Sequence, residues 1–458
     1  MAKSRLIAAS LCLSSCLSLG LLGPARATAE APAAEQAVLG CNRPAAAPDD
    51  VIASCSALLA SGALDGHARA VALWRRGYAY HRKGDDVHAV ADYSERLKAE
   101  PDDAGTLLNR GDALRNLKEN SRAIADYSEA IRLAPDNAGG WQGRGFMRMV
   151  TQDFDGAIKD FSEAIRLSPK VGAVYLNRGA VLSLTSQYAR ALADEDMAIR
   201  LEPNHPIGYV NRGQTLKNLG NAVAAQASVD KALQLAPGFA PALDVQKKIS
   251  GGKKAKPVAE PSREVAQRSY QRCSFPVTDL GPGTEEIKRV IEACTVLINS
   301  SGGNAENRAL VHLQRGSMYR RLGKFELALV DFSESLRYDP NSALAYTGMG
   351  NAYRGLKLLD LALAQHGEAI RIDGSDASSY NNRGNVWQDL KDHAKAIADY
   401  DTSIRINPNY ATAYYNRGNS KLELGDKDGA ASDFRAAIKL NPAMKQATEM
   451  LQSMAAKL

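Results

Sequence analysis

An arginine and an aspartate stand sixteen residues apart seven times in this 458-residue chain: Arg76/Asp92, Arg110/Asp126, Arg144/Asp160, Arg178/Asp194, Arg315/Asp331, Arg383/Asp399 and Arg417/Asp433. A planar guanidinium and a carboxylate suit a bidentate, partly buried ion pair. Directly before the arginine, or before its equivalent, asparagine recurs as Asn109, Asn177, Asn211, Asn382 and Asn416. A side-chain amide both donates and accepts, so a row of amides can hold an extended peptide backbone without reading its side chains. Both patterns speak of recognition and cohesion rather than bond-making.

Bond-making chemistry has little else to draw on. The seven histidines (His67, His81, His88, His205, His312, His366 and His393) show no metal-ligand spacing. There is no His-Glu-x-x-His, no Gly-x-Ser-x-Gly and no phosphate loop ending Gly-Lys-Ser/Thr. Ser250-Gly251-Gly252-Lys253 matches a serine–lysine spacing but shares nothing else with such enzymes, and Gly348-Met349-Gly350 reads as helix, not nucleotide loop. The expectation is no catalytic residue, no cofactor and no metal.

The elements that position these residues repeat every 34 residues. Glycine recurs at 77, 111, 145, 179 and 213, and again at 316, 350, 384 and 418. With glycine at position 8, position 20 is alanine in all nine copies, from Ala89 to Ala430. Position 24 is aromatic in six (Tyr93, Tyr127, Phe161, Phe332, Tyr400, Phe434). His366 occupies that slot in the seventh copy and reads as a core substitution. Small residues at 8 and 20 let two antiparallel helices approach, with the aromatic filling between them. Position 32 is proline in eight copies, which ends the second helix. The exception is the seventh copy, with Gly374, expected to end its helix through a left-handed cap.

These landmarks resemble the tetratricopeptide repeat (TPR), with arginine in place of the usual leucine at position 7. The resemblance covers 70–239 and 309–444 and implies an all-α fold: a right-handed superhelical solenoid of antiparallel helix pairs in two arrays. The arginines are expected to bridge the two helices, within a repeat or to its neighbour; their rival role is a ligand-binding stripe. Two copies depart from the pattern. The repeat at 343 has Met349 and Gln365, losing both charges, and the repeat at 206 keeps Arg212 opposite Ser228.

In this family the first helix of each repeat lines the concave face. The resemblance therefore places Asn109, Asn177, Asn211, Asn382 and Asn416 in a groove, with Asn351, Asn385 and Asn419 one turn on and Arg354, Gln388 and Tyr415 nearby. This is similar to the asparagine ladder of peptide-binding TPR superhelices. Lysines of the carboxylate-clamp type are missing, so capture of a peptide C-terminus is not expected. Leu108, Phe146, Met149, Leu176 and Leu184 make the first groove more apolar. The implied function is a non-catalytic scaffold that binds peptide segments or helices of partner proteins. The alternatives are a self-assembling homo-oligomer of the envelope and an accessory subunit of an envelope enzyme or transporter.

The start reads as export. Lys3 and Arg5 precede an apolar run, Leu6 to Leu22, and small-x-small sites at Ala25–Ala29, the pattern of a cleaved signal peptide over 1–29. Leu13-Ser14-Ser15-Cys16 offers lipidation at Cys16 as a minor alternative; otherwise a periplasmic location with no later membrane span is expected. Losing Lys3, Arg5 and Arg26 takes the formal charge from +6 to +3, too near neutral to favour nucleic acid as a partner.

Four cysteines then remain. Cys55 and Cys294 each lie 22 residues before a repeat glycine, with Cys41 and Cys273 upstream. We pair Cys41 with Cys55 and Cys273 with Cys294, as staples over leading segments at 41–69 and 267–308. Five repeats with a cap fill 70–250 and four with a capping helix fill 309–458. Residues 251–266, with Lys253, Lys254 and Lys256, read as a flexible linker.

Overall fold

Each repeat becomes a helix pair because its turn is written in the backbone. The computed structural model describes residues 38, 40–42, 46–250, 261–273, 284–300 and 304–455. The signal segment with Cys16 and the basic cluster Lys253–Lys256 lie outside the described residues. What is described is all-α and built of helix pairs.

The chain forms two compact units, dividing at Pro135/Asp136. The first contains α1 (Pro48–Ala60), α2 (Gly66–Lys83), α3 (Asp86–Ala99), α4 (Ala104–Asn116) and α5 (Asn120–Leu133). The second opens with three further helix pairs of the first run: α6 (Ala138–Val150), α7 (Phe154–Leu167), α8 (Gly172–Leu184), α9 (Tyr188–Leu201), α10 (Pro206–Asn218) and α11 (Ala222–Leu235). A cap, α12 (Ala240–Ser250), precedes α13 (Arg263–Cys273) and α14 (Thr284–Asn299). Four pairs follow: α15 (Ala305–Arg321) with α16 (Phe325–Tyr338), α17 (Ala343–Gly355) with α18 (Leu359–Ile372), α19 (Ala377–Asp389) with α20 (His393–Ile406), and α21 (Ala411–Glu423) with α22 (Lys427–Leu440). The last helix is α23 (Lys445–Ala455).

The turn inside every repeat puts position 15 in the left-handed region. Glycine serves at Gly84, Gly220, Gly323 and Gly425, whereas Lys118, Gln152, Ser186, Lys357 and Lys391 adopt φ of 60–66° with a side chain. The next residue donates back to the first helix, as in Asp392 N–H to the Trp387 carbonyl at 2.9 Å, closing a Schellman-type end. A non-glycine residue is strained there. Lys391→Gly is therefore expected to raise stability by about 0.5–1 kcal/mol, read as a higher urea midpoint at unchanged m-value.

The core follows the repeat landmarks. All nine position-20 alanines are fully buried, as are Tyr93, Phe161, Phe332, Tyr400 and Phe434. Glycine at position 8 makes room for the ring: a Cβ on Gly384 would sit 2.6 Å from Tyr400 Cε1. Disulfides join Cys41 to Cys55 and Cys273 to Cys294, with Cα separations of 4.8 and 5.0 Å. The first ties the chain before α1 to that helix, and the second ties the end of α13 to α14.

Two sequence expectations about the elements need correction. Gly374 has no left-handed cap: α18 ends at Ile372 because Asp373 turns extended at φ −130°, its N–H still bonded to the Ala369 carbonyl. The linker expected over 251–266 gives way to helix at Arg263, where Ser262 Oγ accepts from the Val265 N–H at 3.3 Å. A serine directly after Pro261 caps that helix.

Candidate functional site

The arginine at position 7 lies on the first helix of its repeat and the aspartate at position 23 on the second. In all seven pairs they meet at 2.6–2.8 Å. The contact is bidentate, Nε to one carboxylate oxygen and Nη2 to the other, as for Arg178 with Asp194. Arg110 with Asp126, Arg315 with Asp331, Arg383 with Asp399 and Arg417 with Asp433 repeat the same fork.

The pairs are partly buried, and the burial falls mostly on the acid. Asp126, Asp194, Asp331, Asp399 and Asp433 are only 1–6% exposed. The physical reason is their place in the repeat: position 23 lies on the second helix beside the core aromatic of position 24, facing the first helix. Only the arginine stems reach towards solvent, as at Arg110 and Arg383, whose side chains are 21% and 28% exposed. Asp126, Asp331, Asp399 and Asp433 therefore belong to the packed interior, and both oxygens of each are taken by the arginine of the same repeat.

The remaining amino group of several arginines reaches across to the preceding second helix: Arg110 to Ser94 Oγ at 3.1 Å and Arg178 to Ser162 Oγ at 2.9 Å. Arg417 uses Asp401 in the same way. The guanidinium thus closes its own repeat by charge and stitches the previous one by a single hydrogen bond. A group so consumed does not present itself as a ligand stripe.

Where the pattern breaks, a different centre forms. Repeat 4 has Glu195 in the aromatic slot and Asp196 one residue on, and repeat 5 has Ser228 where aspartate is expected. Arg212, freed of an in-repeat carboxylate, donates to Ser228 Oγ at 2.9 Å and reaches Asp196 at 2.8 Å and Glu334 of α16 at 3.0 Å. Ser333 Oγ adds a 2.6 Å bond to the second oxygen of Asp196. Around these polar groups Ala189 and Ala193 of α9 pack with Leu329, Phe332 and Tyr353, and Leu192 and Leu216 pack with Val330. The second run of repeats is thereby seated on α9 and α10. Burial works to raise the Glu334 carboxyl, but Arg212, Arg337 and His312 outweigh it and hold it down to about 2. Glu195 is the opposite case. Burial pushes its carboxyl well above the usual range against the Thr215 hydroxyl at 2.6 Å, and its other oxygen has no partner among the described residues.

The expected groove residues divide into two sets. Asn385 accepts from Tyr400 Oη and from Asn416 Nδ2, both at 2.9 Å, and Asn416 also donates to Asn381. Gln388 accepts from the same tyrosine at 3.0 Å, Arg354 forms a bidentate pair with Asp389 at 2.7 and 3.2 Å, and Tyr415 rests against Phe434. These side chains knit the helices of the second run together. Asn109, Asn177, Asn211, Asn351, Asn382 and Asn419 are half-buried, and their amides have no intramolecular partner among the described residues. Asn351, Arg354, Asn382 and Asp389 line one concavity together with Arg320 and Lys357. Sequence reading missed Arg320, Glu195, Asp196 and Glu334. Glu195 and Asp196 were signalled only by departures from the repeat, Glu334 stands where glutamate is usual, and their convergence is a matter of tertiary packing. Among the described residues no group of histidines, cysteines or carboxylates could hold a metal ion, and no helix is long and apolar enough to cross a membrane.

Tetratricopeptide-repeat family models match residues 88–138, 148–206, 208–239, 316–357, 377–410 and 411–443, together more than half of the chain. The chain belongs to the tetratricopeptide repeat family, whose members are typically non-catalytic and mediate protein–protein interactions. Similar solved structures include YrrB, described as a TPR protein with an unusual peptide-binding site (18% identity, 42% of this chain and 97% of that one, TM-score 0.37). MamA is 20% identical over 42% of this chain and 98% of its own, with a TM-score of 0.35. A tetratricopeptide repeat protein from Parabacteroides merdae ATCC 43184 is 14% identical over 62% and 98%, with a TM-score of 0.38. Scores this low bear on no ligand or partner. No curated protein matches the chain.

Proposed function

We propose that this protein is a non-catalytic scaffold binding peptide segments or helices of partner proteins along the first helices of its repeats. The observation that carries this reading is the set of six half-buried asparagines whose amides are left without partners among the described residues. A half-desolvated amide on the first helix of its repeat offers a donor and an acceptor to a peptide backbone. The first run, with Phe146, Met149 and the exposed Leu184, suits apolar segments, and the second suits polar ones; Leu176 is packed in the core. The disulfides Cys41–Cys55 and Cys273–Cys294 favour an oxidising compartment, in keeping with export through the 1–29 signal to the periplasm.

The test is affinity capture from an envelope extract with two baits, the wild-type protein and a variant with Asn109, Asn177, Asn351 and Asn382 changed to alanine. These half-buried, unbonded amides carry little stability, so the variant should unfold within about 0.5 kcal/mol of wild type per site. A partner retained by wild type and lost from the variant is the expected result. Identical partners on both baits would move binding away from these amides. Recovery of the protein's own copies alone would put self-assembly first.

A further inference from the structure

Arg320 ends α15 facing the concavity shared with α17 and α19. It is half-buried, yet its guanidinium makes no ion pair or side-chain hydrogen bond with any described residue. Burial and the adjacent Arg321 work against its charge. A guanidinium removed from water without a counter-charge is costly. The other charges of the concavity do not relieve it: Arg354 and Asp389 neutralise each other, and Lys357 adds a second positive group at the rim. Asn351 and Asn382 share the concavity with these cations, and their amides are unbonded.

We propose that this concavity binds an aspartate or glutamate side chain within an extended segment of a partner protein. The carboxylate is held by Arg320, and the flanking peptide backbone by Asn351 and Asn382. The inference rests on the scaffold reading above and gives it a charge preference. Peptide fits better than a free phosphate for two reasons. An extended backbone offers N–H donors and carbonyl acceptors along its length, so it can serve both Asn351 and Asn382 while one side chain reaches Arg320. A single carboxylate also matches the one guanidinium of the concavity left without a counter-charge among the described residues, Arg320.

The experiment uses the purified protein and four probes. These are an acetylated, amidated nonapeptide of alanine and serine with a central glutamate, its glutamine counterpart, acetate, and inorganic phosphate. Binding is followed at the guanidinium Nε–H signals by NMR. The glutamate peptide should bind at least about tenfold tighter than the glutamine peptide, the worth of one charge-assisted hydrogen bond. Arg320→Gln should abolish that difference and leave the glutamine peptide's affinity unchanged, and Arg320→Lys should restore part of it. Because Arg320 has no partner among the described residues, Arg320→Gln should unfold no earlier than wild type, which separates lost binding from lost fold. If both peptides bind equally and both weaken in Asn351→Ala, the scaffold reading stands and the charge preference falls. If neither binds, both fall. Acetate or phosphate binding as tightly as the glutamate peptide would mean a free-anion site and overturn the proposal.

Discussion

Replacing Arg212 by alanine is expected to destabilise the second compact unit by about 3–5 kcal/mol, the cost of stranding a buried charge by removing its partner. Asp196 and Glu334 would then face each other across α9 and α16 with no cation between them, beside the buried Glu195. The loss should be local at first. In urea, the near-ultraviolet signal of the repeats after α16 should separate from that of the repeats before it, ending a single transition. Removing the charges together, in Arg212→Met with Asp196→Ser and Glu334→Gln, should recover most of the loss, since a well-packed apolar replacement of a buried ion pair is often neutral.

Acid should loosen the same contact. Glu334 has its carboxyl lowered on folding, so its stabilisation is whole above about pH 4.5, its unfolded value, and disappears as pH falls towards 2. An Arg212→Ala protein that unfolds in one transition within about 0.5 kcal/mol of wild type, the range of ordinary surface changes, would show that the apolar packing of α9 alone seats α16.

His366→Phe is expected to stabilise the protein by about 2 kcal/mol at neutral pH, because it removes two buried nitrogens without partners and fills the same slot. His366 is wholly buried and lies under Gly350 as Phe332 lies under Gly316, and neither ring nitrogen has a hydrogen-bond partner among the described residues. Burial first, then Arg354 and Arg383, lower its pKa to about 4. Between pH 6.5 and 4 the unfolded chain takes up a proton that the folded one refuses, so stability falls with pH. The span is worth about 3 kcal/mol at 1.36 kcal/mol per unit. Above pH 6.5 both states are neutral and this group contributes no pH dependence. Urea midpoints at pH 7.5 and 4.5 check both effects: the variant should be the more stable at either pH and should lack this part of the acid loss. Equal pH dependence in the two proteins would mean that His366 is protonated inside the fold.

The helix pairs were legible because nine copies write the same instructions, and a glycine facing an aromatic sixteen residues on has few other uses. The Arg–Asp pairing was legible for the same reason, though neither its depth nor its second half. That Asp331 and Asp433 sit deeper than their arginines follows from which way the second helix turns its position 23, and a period alone does not say. Whether Arg110 also reaches Ser94 depends on how one repeat sits on the next, and serine is too common to announce itself. The contact between Ser333 and Asp196 spans 137 residues of sequence. The oddities Glu195, Asp196 and Ser228 were visible one by one, yet nothing in a 34-residue period says that three departures share a destination. The groove shows the same limit. Position along a repeat puts Asn385 and Asn416 with the other amides, but the reach of Tyr400 and Asn381 decides that they bond inward. Arg320 went unseen because an arginine without a partner looks, in sequence, like any other.

The two ways in which these arginines find their carboxylates set different rules for how the chain can evolve. Arg383 and Arg417 find theirs inside their own 34 residues, in Asp399 and Asp433, and Arg417 adds a second, exposed carboxylate of the previous repeat, Asp401. A whole unit duplicated or deleted among the last repeats keeps these in-repeat pairs intact. Beyond that exposed contact, only the half-exposed bridge from Arg354 to Asp389 ties one unit to a particular neighbour there among the described residues. Arg212 draws on the repeats on either side of its own, through Asp196 and Glu334. One unit more or fewer in that stretch would strand a buried cation, so between repeats 4 and 6 the number of copies is fixed while its flank remains open to growth.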